Sequence, residues 1–541
     1  MTHPRITSSS IARSQRLKSN TRAGLILTTL MLMVAMTATP AAAQTYTVLY
    51  HFDGTTATQP SGTLAQGRDG NLYGTAGSST GGVVFKITPD GAFRVIYNFG
   101  GNGGAPSDGL TLGYSTDGSL YGTAAGYGET LSTIFKITPH GNLTTLHTFS
   151  NYLNGPTAYA SPILGSDGSF YGMTTISAGV AYKISPSGTY TEFAKAGLFD
   201  QGYNRLLPGT DGVWYGVASQ EVFKLTSGLP RSLYTFHFQH SFNYAVVEGP
   251  NGNLYGTTSA GGSNNVGEVY ELTPQGSVTV LHNFGADPSD GVSPLAGLVL
   301  ASDGNFYGVT GGGGSANPGT LFRVSPTGQY SVVQGVTPMD GREHQATLMQ
   351  HTNGKLYGVA YSQNLDDHQG VVYSLDLGLP PFVKVVPTSG KVGTIITILG
   401  QGFTGVGATH DVSFNGIPAL WVEGFPTYLK AAVPGGATTG PVTVTTLAGT
   451  LTSNQPFRVH PVILSVTPGT GAAGTSVVIT GTSFTQTTKV TFGGGKAAAT
   501  FTVDSDTQVT ATVPAGAPSG YIALTTTGGT SRSPDTFTVT P

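Results

Sequence analysis

A short motif of alternating apolar and polar residues recurs along the first two thirds of the chain. It consists of Asp or Asn, Gly, any residue, Leu or an aromatic residue, Tyr and Gly, and successive copies lie 40 to 52 residues apart. Alternation with a period of two over aromatic and β-branched residues is typical of β-strands. The seven copies place their tyrosines at Tyr73, Tyr121, Tyr171, Tyr215, Tyr255, Tyr307 and Tyr357.

Two further strand patterns accompany each copy of this motif. One resembles VFKITPDG at residues 84–91, and the other resembles VLHNF at residues 280–284. Each repeat therefore predicts four short strands. One such sheet cannot bury both faces, whereas seven sheets packed around an axis can do so and expose only short edges. We therefore predict an all-β fold with a seven-bladed β-propeller over residues 44–378; a solenoid is the alternative.

The two ends of the repeat region complement each other. The last repeat lacks a strand of the VLHNF type, and residues 45–52 supply one ahead of the first complete repeat. We expect this N-terminal strand to pair with the last repeat, because that pairing removes an open sheet edge.

The predicted strand connections differ between the two faces of the propeller. Alternate connections of an antiparallel meander lie on the same edge, so long glycine-rich loops share one face and tight Asp-Gly turns share the other. Variable loops on a rigid scaffold commonly bind ligands, which favours the long-loop face. Asp53, Asp108 and Asp290 precede Gly in loops of that face and are candidate ligands for a cation or sugar hydroxyls; ordinary turns are the alternative.

The composition changes after the Leu-Pro-Pro run at residues 379–381, and two mutually similar segments follow. ITILGQGF at residues 396–403 matches VVITGTSF at residues 477–484. Short alternating strands with regular turns predict an immunoglobulin-like sandwich for each segment, over residues 379–459 and 460–541. In the first of them Trp421 is a candidate platform for sugar stacking, and a buried core position is the alternative.

These motifs resemble known families. The two C-terminal segments are similar to IPT/TIG modules over nearly all of residues 381–541, and DGNLYGT at 69–75 and VFKITPDG at 84–91 resemble the GloVer tandem repeats of exported bacterial proteins. The first resemblance implies spacer, binding or interaction domains in a bacterial surface protein or a polysaccharide-acting enzyme. The second implies export and carries no known activity.

The N-terminal 43 residues have the organisation of a secretory signal. Five basic residues precede an apolar stretch at residues 23–36, and Ala41, Ala42 and Ala43 fit a cleavage site. An uncleaved membrane anchor is the alternative, although the apolar stretch is shorter than the roughly 20 residues that span a bilayer. We therefore expect a secreted or cell-surface protein with no integral membrane segment after cleavage.

Charge and cysteine content exclude several classes of function. Residues 44–541 contain 19 basic and 27 acidic residues, a net charge of −8, which disfavours nucleic acid as a partner. The chain has no cysteine, so disulfides, thiolate metal sites and thiol catalysis are excluded.

Motifs that resemble catalytic sites have simpler explanations. The G-x-S-x-G match at residues 77–81 is not followed by a predicted helix, as a hydrolase nucleophile requires. The cluster Asp366, Asp367 and His368 has no second cluster to complete a metal site. The repeated aspartates are expected to cap their own turns: they are Asp69, Asp117, Asp167, Asp211 and Asp303.

The sequence thus predicts a non-enzymatic exported protein that binds or adheres to polysaccharide or a cell-surface protein, without cofactor, metal or catalytic residues. Two alternatives remain open. An extracellular carbohydrate-active enzyme would need two carboxyl groups roughly 5 to 10 Å apart in one pocket. A structural surface component would need no ligand pocket.

Overall fold

The computed structural model describes residue 1 and residues 44–541, except for the intervals 79–80, 101–103, 107, 115–116, 127–130, 150–157, 159, 175–178, 196–204, 219, 227–228, 238–244, 315–318, 337–345 and 362–369. The predicted signal segment and the cluster of Asp366, Asp367 and His368 lie outside the described residues, as does part of the G-x-S-x-G match. In the described part of the chain, no helix is long and apolar enough to span a bilayer.

The repeat region forms seven antiparallel sheets in its described residues, which we number 1 to 7. A single strand, β1 (Thr45–His51), precedes them. The remaining strands are β2 (Thr58–Gln66), β3 (Leu72–Ser78), β4 (Gly81–Ile87) and β5 (Phe93–Asn98) in sheet 1; β6 (Ala105–Pro106), β7 (Thr111–Leu112), β8 (Leu120–Ala125), β9 (Thr133–Ile137) and β10 (Leu143–Thr148) in sheet 2; β11 (Ile163–Leu164), β12 (Phe170–Met173), β13 (Val180–Ile184) and β14 (Tyr190–Lys195) in sheet 3; β15 (Leu207–Pro208), β16 (Trp214–Ala218), β17 (Glu221–Thr226) and β18 (Leu229–Thr235) in sheet 4; β19 (Val247–Glu248), β20 (Leu254–Thr258), β21 (Glu268–Leu272) and β22 (Val278–Asn283) in sheet 5; β23 (Gly291–Pro294), β24 (Val299–Leu300), β25 (Phe306–Gly313), β26 (Thr320–Val324) and β27 (Tyr330–Gly335) in sheet 6; and β28 (Met349–Gln350), β29 (Leu356–Ala360) and β30 (Val371–Asp376) in sheet 7.

The predicted pairing between the two ends of the repeat region is confirmed. Strand β1 pairs with β30 in an antiparallel register that sets Tyr46 opposite Leu375, and it becomes the fourth strand of sheet 7. Sheets 1 and 7 are also joined by side chains, because Gln66 Nε2 donates to Thr352 Oγ1 at 2.8 Å. The N-terminal and C-terminal sheets of the repeat region are therefore neighbours.

A close contact inside each sheet explains why the repeated motif ends in glycine. The glycine faces an aromatic ring on the next strand, and a methyl group added to Gly256 would lie 2.4 Å from the Tyr270 hydroxyl oxygen. At all seven sites the added carbon would approach the ring or its hydroxyl to between 2.3 and 2.8 Å. The glycine–ring pairs are Gly74–Phe85, Gly122–Phe135, Gly172–Tyr182, Gly216–Phe223, Gly256–Tyr270, Gly308–Phe322 and Gly358–Tyr373.

The tyrosine of the same motif fastens the sheet to the preceding turn. Tyr73 donates to Asp69 Oδ2 at 2.8 Å, and Lys86 Nζ lies 2.6 Å from the same oxygen. In sheet 5 Asn251 replaces the aspartate of the turn. Tyr255 donates instead to Glu271, which lies on the next strand, β21. The predicted turn caps are confirmed at Asp69, Asp117, Asp167, Asp211 and Asp303, whose Oδ1 atoms accept the N–H group two residues later.

Each C-terminal segment folds as stacked sheets over an apolar core. Phe403, Val412 and Phe457 lie in the first core, and Phe484, Phe492 and Phe537 lie in the second. The first sandwich comprises β31 (Lys384–Val386), β32 (Ser389–Gly390), β33 (Ile395–Leu399), a 3-10 helix (Thr409–Asp411), β34 (Val412–Phe414), β35 (Ile417–Pro418), β36 (Trp421–Gly424), β37 (Tyr428–Ala432), β38 (Val442–Thr446), β39 (Gly449–Thr452) and β40 (Arg458–Val459). The second comprises β41 (Val462–Thr467), β42 (Thr470–Gly471), β43 (Ser476–Thr482), β44 (Thr487–Phe492), a 3-10 helix (Gly493–Gly495), β45 (Lys496–Ala497), β46 (Phe501–Ser505), β47 (Gln508–Thr512), β48 (Gly520–Thr526) and β49 (Gly529–Val539).

The first sandwich is packed directly on the tight-turn side of the repeat region. Leu399 and Tyr428 join an apolar cluster with Leu112 of sheet 2. Arg68, only 5 % exposed, donates from Nη2 to Thr397 Oγ1 at 3.0 Å, and its guanidinium lies over the Tyr428 ring. This side of the sandwich is therefore held by apolar contact and a buried cation.

A variant that lacks residues 44–52 tests the pairing of the two ends. Removal of β1 exposes the edge of β30 and deletes the ring of Tyr46 that stacks on Tyr373. We expect a lower melting temperature and new protease cleavage across all seven sheets, measured by limited proteolysis. A digestion pattern unchanged from that of the parent protein would contradict a stabilising role for the β1–β30 pairing.

Substitution of Gly256 by Ala tests the glycine–ring contact. The added methyl group has no space beside Tyr270, so we expect the free energy of unfolding to fall by about 1–3 kcal/mol. Gly335→Ala is the matched control, because Gly335 also lies in a strand and has open space around it. Equal melting temperatures for the two variants would contradict the steric explanation.

Candidate functional site

The carboxylate of Asp53 is used by its own loop. It accepts N–H groups from Thr55 and Thr56 at 2.9 and 2.8 Å. Desolvation acts to raise the pKa of Asp53, but these hydrogen bonds outweigh it and lower the pKa to about 2. Asp53 therefore has the geometry of a turn cap.

Asp108 holds neighbouring sheets together. Its Oδ2 accepts the Ser161 N–H and lies 3.1 Å from Arg205 Nε, while its main-chain oxygen accepts Arg205 Nη2 at 2.7 Å. These contacts join the loops that precede β7, β11 and β15. The carboxylate is thus engaged by protein donors.

Asp290 is buried, with a side chain only 3 % exposed. Its Oδ2 lies 3.0 Å from His282 Nε2, and its Oδ1 accepts the Tyr330 hydroxyl at 2.6 Å. The rings of His282 and Tyr330 stack with their centroids 3.5 Å apart. Burial acts to raise the pKa of Asp290, and the hydrogen bonds from His282 and Tyr330 outweigh it, so the net direction is downward.

The three candidate aspartates therefore stand in separate hydrogen-bonded settings. Among the described residues, no group of three or more His, Asp or Glu side chains is arranged to hold a metal ion. A binding role for the long-loop face stays a prediction.

Trp421, the fourth candidate, lies beside a cleft between the repeat region and the first sandwich. The cleft has a volume of about 980 Å³, and the tryptophan is 41 % exposed. It lies on the tight-turn side of the repeat region, since Ser166 and Asp167 of a tight turn line the opposite wall. The alternative of a buried core position for Trp421 does not hold.

One wall of the cleft is the outer face of a sheet in the first sandwich. Ile395 of β33 and Trp421 of β36 lie on either side of Ala432 in β37, and side chains in such a row share a face. The other half of this face, at Leu399 and Tyr428, packs on the repeat region. Docking of one half of the sheet therefore leaves the other half as an open apolar wall.

Charged groups flank this wall. Lys391 is exposed at the cleft, and Lys430 Nζ pairs with Glu423 at 3.1 Å. Across the cleft, Asp167 Oδ2 lies 2.6 Å from Lys183 Nζ and accepts the Tyr171 hydroxyl. Burial acts to raise the pKa of Asp167, but Lys183 and the other donors lower it overall.

A smaller chamber of about 410 Å³ continues from the cleft beneath sheets 3 and 4. We call this the narrow chamber and the cleft beside Trp421 the wide chamber. Arg458 and Trp214 line it, and Arg458 Nη1 donates to the Gly209 carbonyl at 2.8 Å. Ser166, Pro387 and His460 line both chambers, so they form one groove.

The sequence predicts Trp421 as a candidate residue but does not predict the cleft that it lines. Trp214, which takes the Leu or aromatic position of the repeated motif, lines the narrow chamber and stacks on Tyr171. The apolar residues Ile395 and Trp421, which share one sheet face, were the signal from which an open apolar wall could have been predicted.

Family models match most of the chain. The model of the Gloeobacter/Verrucomicrobia repeat matches residues 34–224 and 203–395, and the IPT/TIG domain model matches residues 380–459 and 461–539. A search of curated proteins found no match.

Several solved structures are similar over long stretches. A streptogramin B lyase is 13 % identical over 61 % of this chain and 97 % of its own, with a TM-score of 0.45. The virginiamycin B lyase from Staphylococcus aureus is 13 % identical over 61 % of this chain and 99 % of its own, with a TM-score of 0.44. A fungal alcohol oxidase in complex with copper is 11 % identical over 92 % of this chain and 99 % of its own, with a TM-score of 0.42.

No conclusion about activity follows from likenesses this distant. The repeat model alone covers more than half of the chain, and the two resemblances seen in the sequence are confirmed. The chain belongs to the family of Gloeobacter/Verrucomicrobia repeat proteins and carries two IPT/TIG domains after its repeats.

Proposed function

We propose that this chain is an exported, non-enzymatic binding protein that holds a polysaccharide in the groove between its repeat region and its sandwiches. The observation that carries the proposal is the half-exposed Trp421 on an open apolar wall of a 980 Å³ cleft. An exposed indole is a flat apolar surface with a polar edge, which suits the apolar face of a sugar ring. Ligand sites are commonly concave, apolar and placed between domains.

The setting of the three aspartates supports this choice of surface. Asp53, Asp108 and Asp290 already accept hydrogen bonds from the protein, so binding a cation or sugar through them would require those bonds to break. Trp421 needs no such rearrangement. The groove therefore replaces the long-loop face as our first candidate.

The proposed architecture is a closed seven-bladed propeller over residues 44–378, followed by sandwiches over residues 379–459 and 460–541. Three supports for the ring are the β1–β30 pairing and two similar side-chain bonds between neighbouring sheets. Gln350 Nε2 donates to Ser302 Oγ, as Gln66 Nε2 does to Thr352 Oγ1. Such bonds between successive sheets suit radial repetition.

We place the protein outside the cell. Its IPT/TIG domains are consistent with an extracellular protein, and the organisation of residues 1–43 predicts a secretory signal. A polysaccharide of the cell surface or the surroundings is then an accessible ligand; a cell-surface protein is the other partner that the sequence predicts.

A carbohydrate-active enzyme is the alternative function. Asp167 and Asp211, the acidic residues among the described lining of the groove, accept bonds from Tyr171 and Tyr215. The same hydrogen bond from a tyrosine to the aspartate of the preceding turn occurs in sheets 1 and 6. This repetition favours a structural role for both carboxylates.

Substitution of Trp421 by Ala tests the proposed site. We expect the parent protein to be retained on at least one insoluble or immobilised polysaccharide, and the variant to lose that affinity by about 1–3 kcal/mol of stacking and apolar contact. Phe501→Ala is the matched control, since Phe501 is an exposed aromatic residue of the second sandwich that does not line the groove. Retention and released sugar are measured in the same tubes.

Equal loss in both aromatic variants would contradict a specific site at Trp421. Release of sugar by the parent protein would favour the enzyme instead. Absence of retention on every polysaccharide would overturn the proposed function and direct attention to protein partners.

A further inference from the structure

The two chambers of the groove differ in volume and in the side chains that an entering ligand would meet. The wide chamber presents Trp421 and Ile395, and the narrow chamber presents Arg458 and Arg532. His460 stands where the chambers join. An extended ligand can therefore run from an apolar wall to a cationic end.

The groove is richer in cations than the rest of the chain. Lys391 and Lys430 line the wide chamber, whereas residues 44–541 as a whole have a net charge of −8. Lys391 and Arg532 are exposed and form no ion pair with a described residue. Each chamber thus offers one cation that is available to a ligand.

The acidic groups of the lining do not offset these two cations. Asp167 is paired with Lys183 at 2.6 Å. Burial lowers the pKa of Arg458, and the negative charges of Glu248 and Asp211 act on Arg458 and oppose that lowering. Lys430 is paired with Glu423, and Arg458 donates a hydrogen bond to the Gly209 carbonyl. The unneutralised charge facing the groove is therefore positive.

One polar atom at the junction has no protein partner among the described residues. His460 Nε2 is inaccessible to solvent and makes no hydrogen bond. Burial and the neighbouring Arg458 lower the pKa of His460, which favours the neutral form of its ring. A buried polar atom without a partner is destabilising, so a ligand hydroxyl or carboxylate that displaces the side chains covering Nε2 would supply the missing bond.

We propose that the groove takes an acidic polysaccharide, with a sugar ring stacked on Trp421, carboxylates paired with Lys391 and Arg532, and a polar group bonded to His460. This inference rests on the proposed function and names its ligand class. The hydroxyls and carboxylates of such a chain match a groove that presents an apolar wall at Trp421, a polar junction at His460 and one exposed cation in each chamber.

The test measures binding of the purified protein to soluble polygalacturonate and alginate, with dextran and amylose as neutral glycans, by calorimetry at low and high salt. We expect binding of the acidic glycans at least about tenfold tighter than the neutral ones at low salt, and weakened by salt because exposed charges are screened. Lys391→Ala combined with Arg532→Ala is expected to lower the affinity for the acidic glycans about tenfold and to remove most of the salt dependence.

A matched control separates the groove from general surface charge. Lys489→Ala combined with Lys496→Ala also removes two exposed cations, both in the second sandwich and outside the groove lining. It should leave the affinity unchanged, whereas His460→Phe should weaken binding. An equal loss in the two double variants would overturn the assignment.

The outcomes also separate this inference from the function on which it rests. Equal binding of neutral and acidic glycans, lost in Trp421→Ala, would overturn the ligand class and leave the polysaccharide site standing. Binding of no glycan at all would overturn both. Binding of the acidic glycans that survives both Trp421→Ala and the Lys391/Arg532 change would show that they bind elsewhere.

Discussion

Each of the seven sheets depends on one steric constraint, the packing of an aromatic ring against a glycine on the neighbouring strand. At Gly256 even a methyl group would approach the Tyr270 hydroxyl to 2.4 Å, and all seven repeats share this arrangement. The ring fixes the distance between the two strands. In sheets 1 and 6 the adjacent tyrosine donates to the aspartate of the turn that precedes its strand and so holds that turn in place. The result is a set of similar sheets, and turn residues of sheets 1 and 4 contact the first sandwich through the Arg68–Thr397 and Arg458–Gly209 hydrogen bonds.

The groove results from the way in which the first sandwich packs on the repeat region. Half of one sheet face, around Leu399 and Tyr428, packs on the repeat region. The buried Arg68 donates a hydrogen bond to Thr397 in the same contact. The remaining half carries Ile395 and Trp421 away from the contact and faces the turn of Asp167 across open space. The proposed binding site thus lies where two kinds of domain pack together rather than on the loops of either one.

Much of this could be predicted from the sequence because the repeats encode their own contacts. The strands, the turn caps at Asp69 and Asp167 and the pairing of residues 45–51 with the last repeat follow from local patterns that are present in seven copies. The groove could not be predicted, because the packing of Leu399 on Leu112 joins residues nearly 290 positions apart and leaves no periodic signal. The same holds for Asp290, whose burial beneath His282 and Tyr330 depends on three separate segments.

The central claim is that ligand occupies the groove, and the two tryptophans of the chain allow a direct measurement. Trp421 lines the wide chamber and Trp214 the narrow one, so fluorescence excited selectively at tryptophan reports on the groove. Titration with polygalacturonate should shift the emission of Trp421 to shorter wavelength as its exposed surface is covered, and Trp421→Phe should abolish that part of the change. Saturable binding with no change in tryptophan emission would contradict the account.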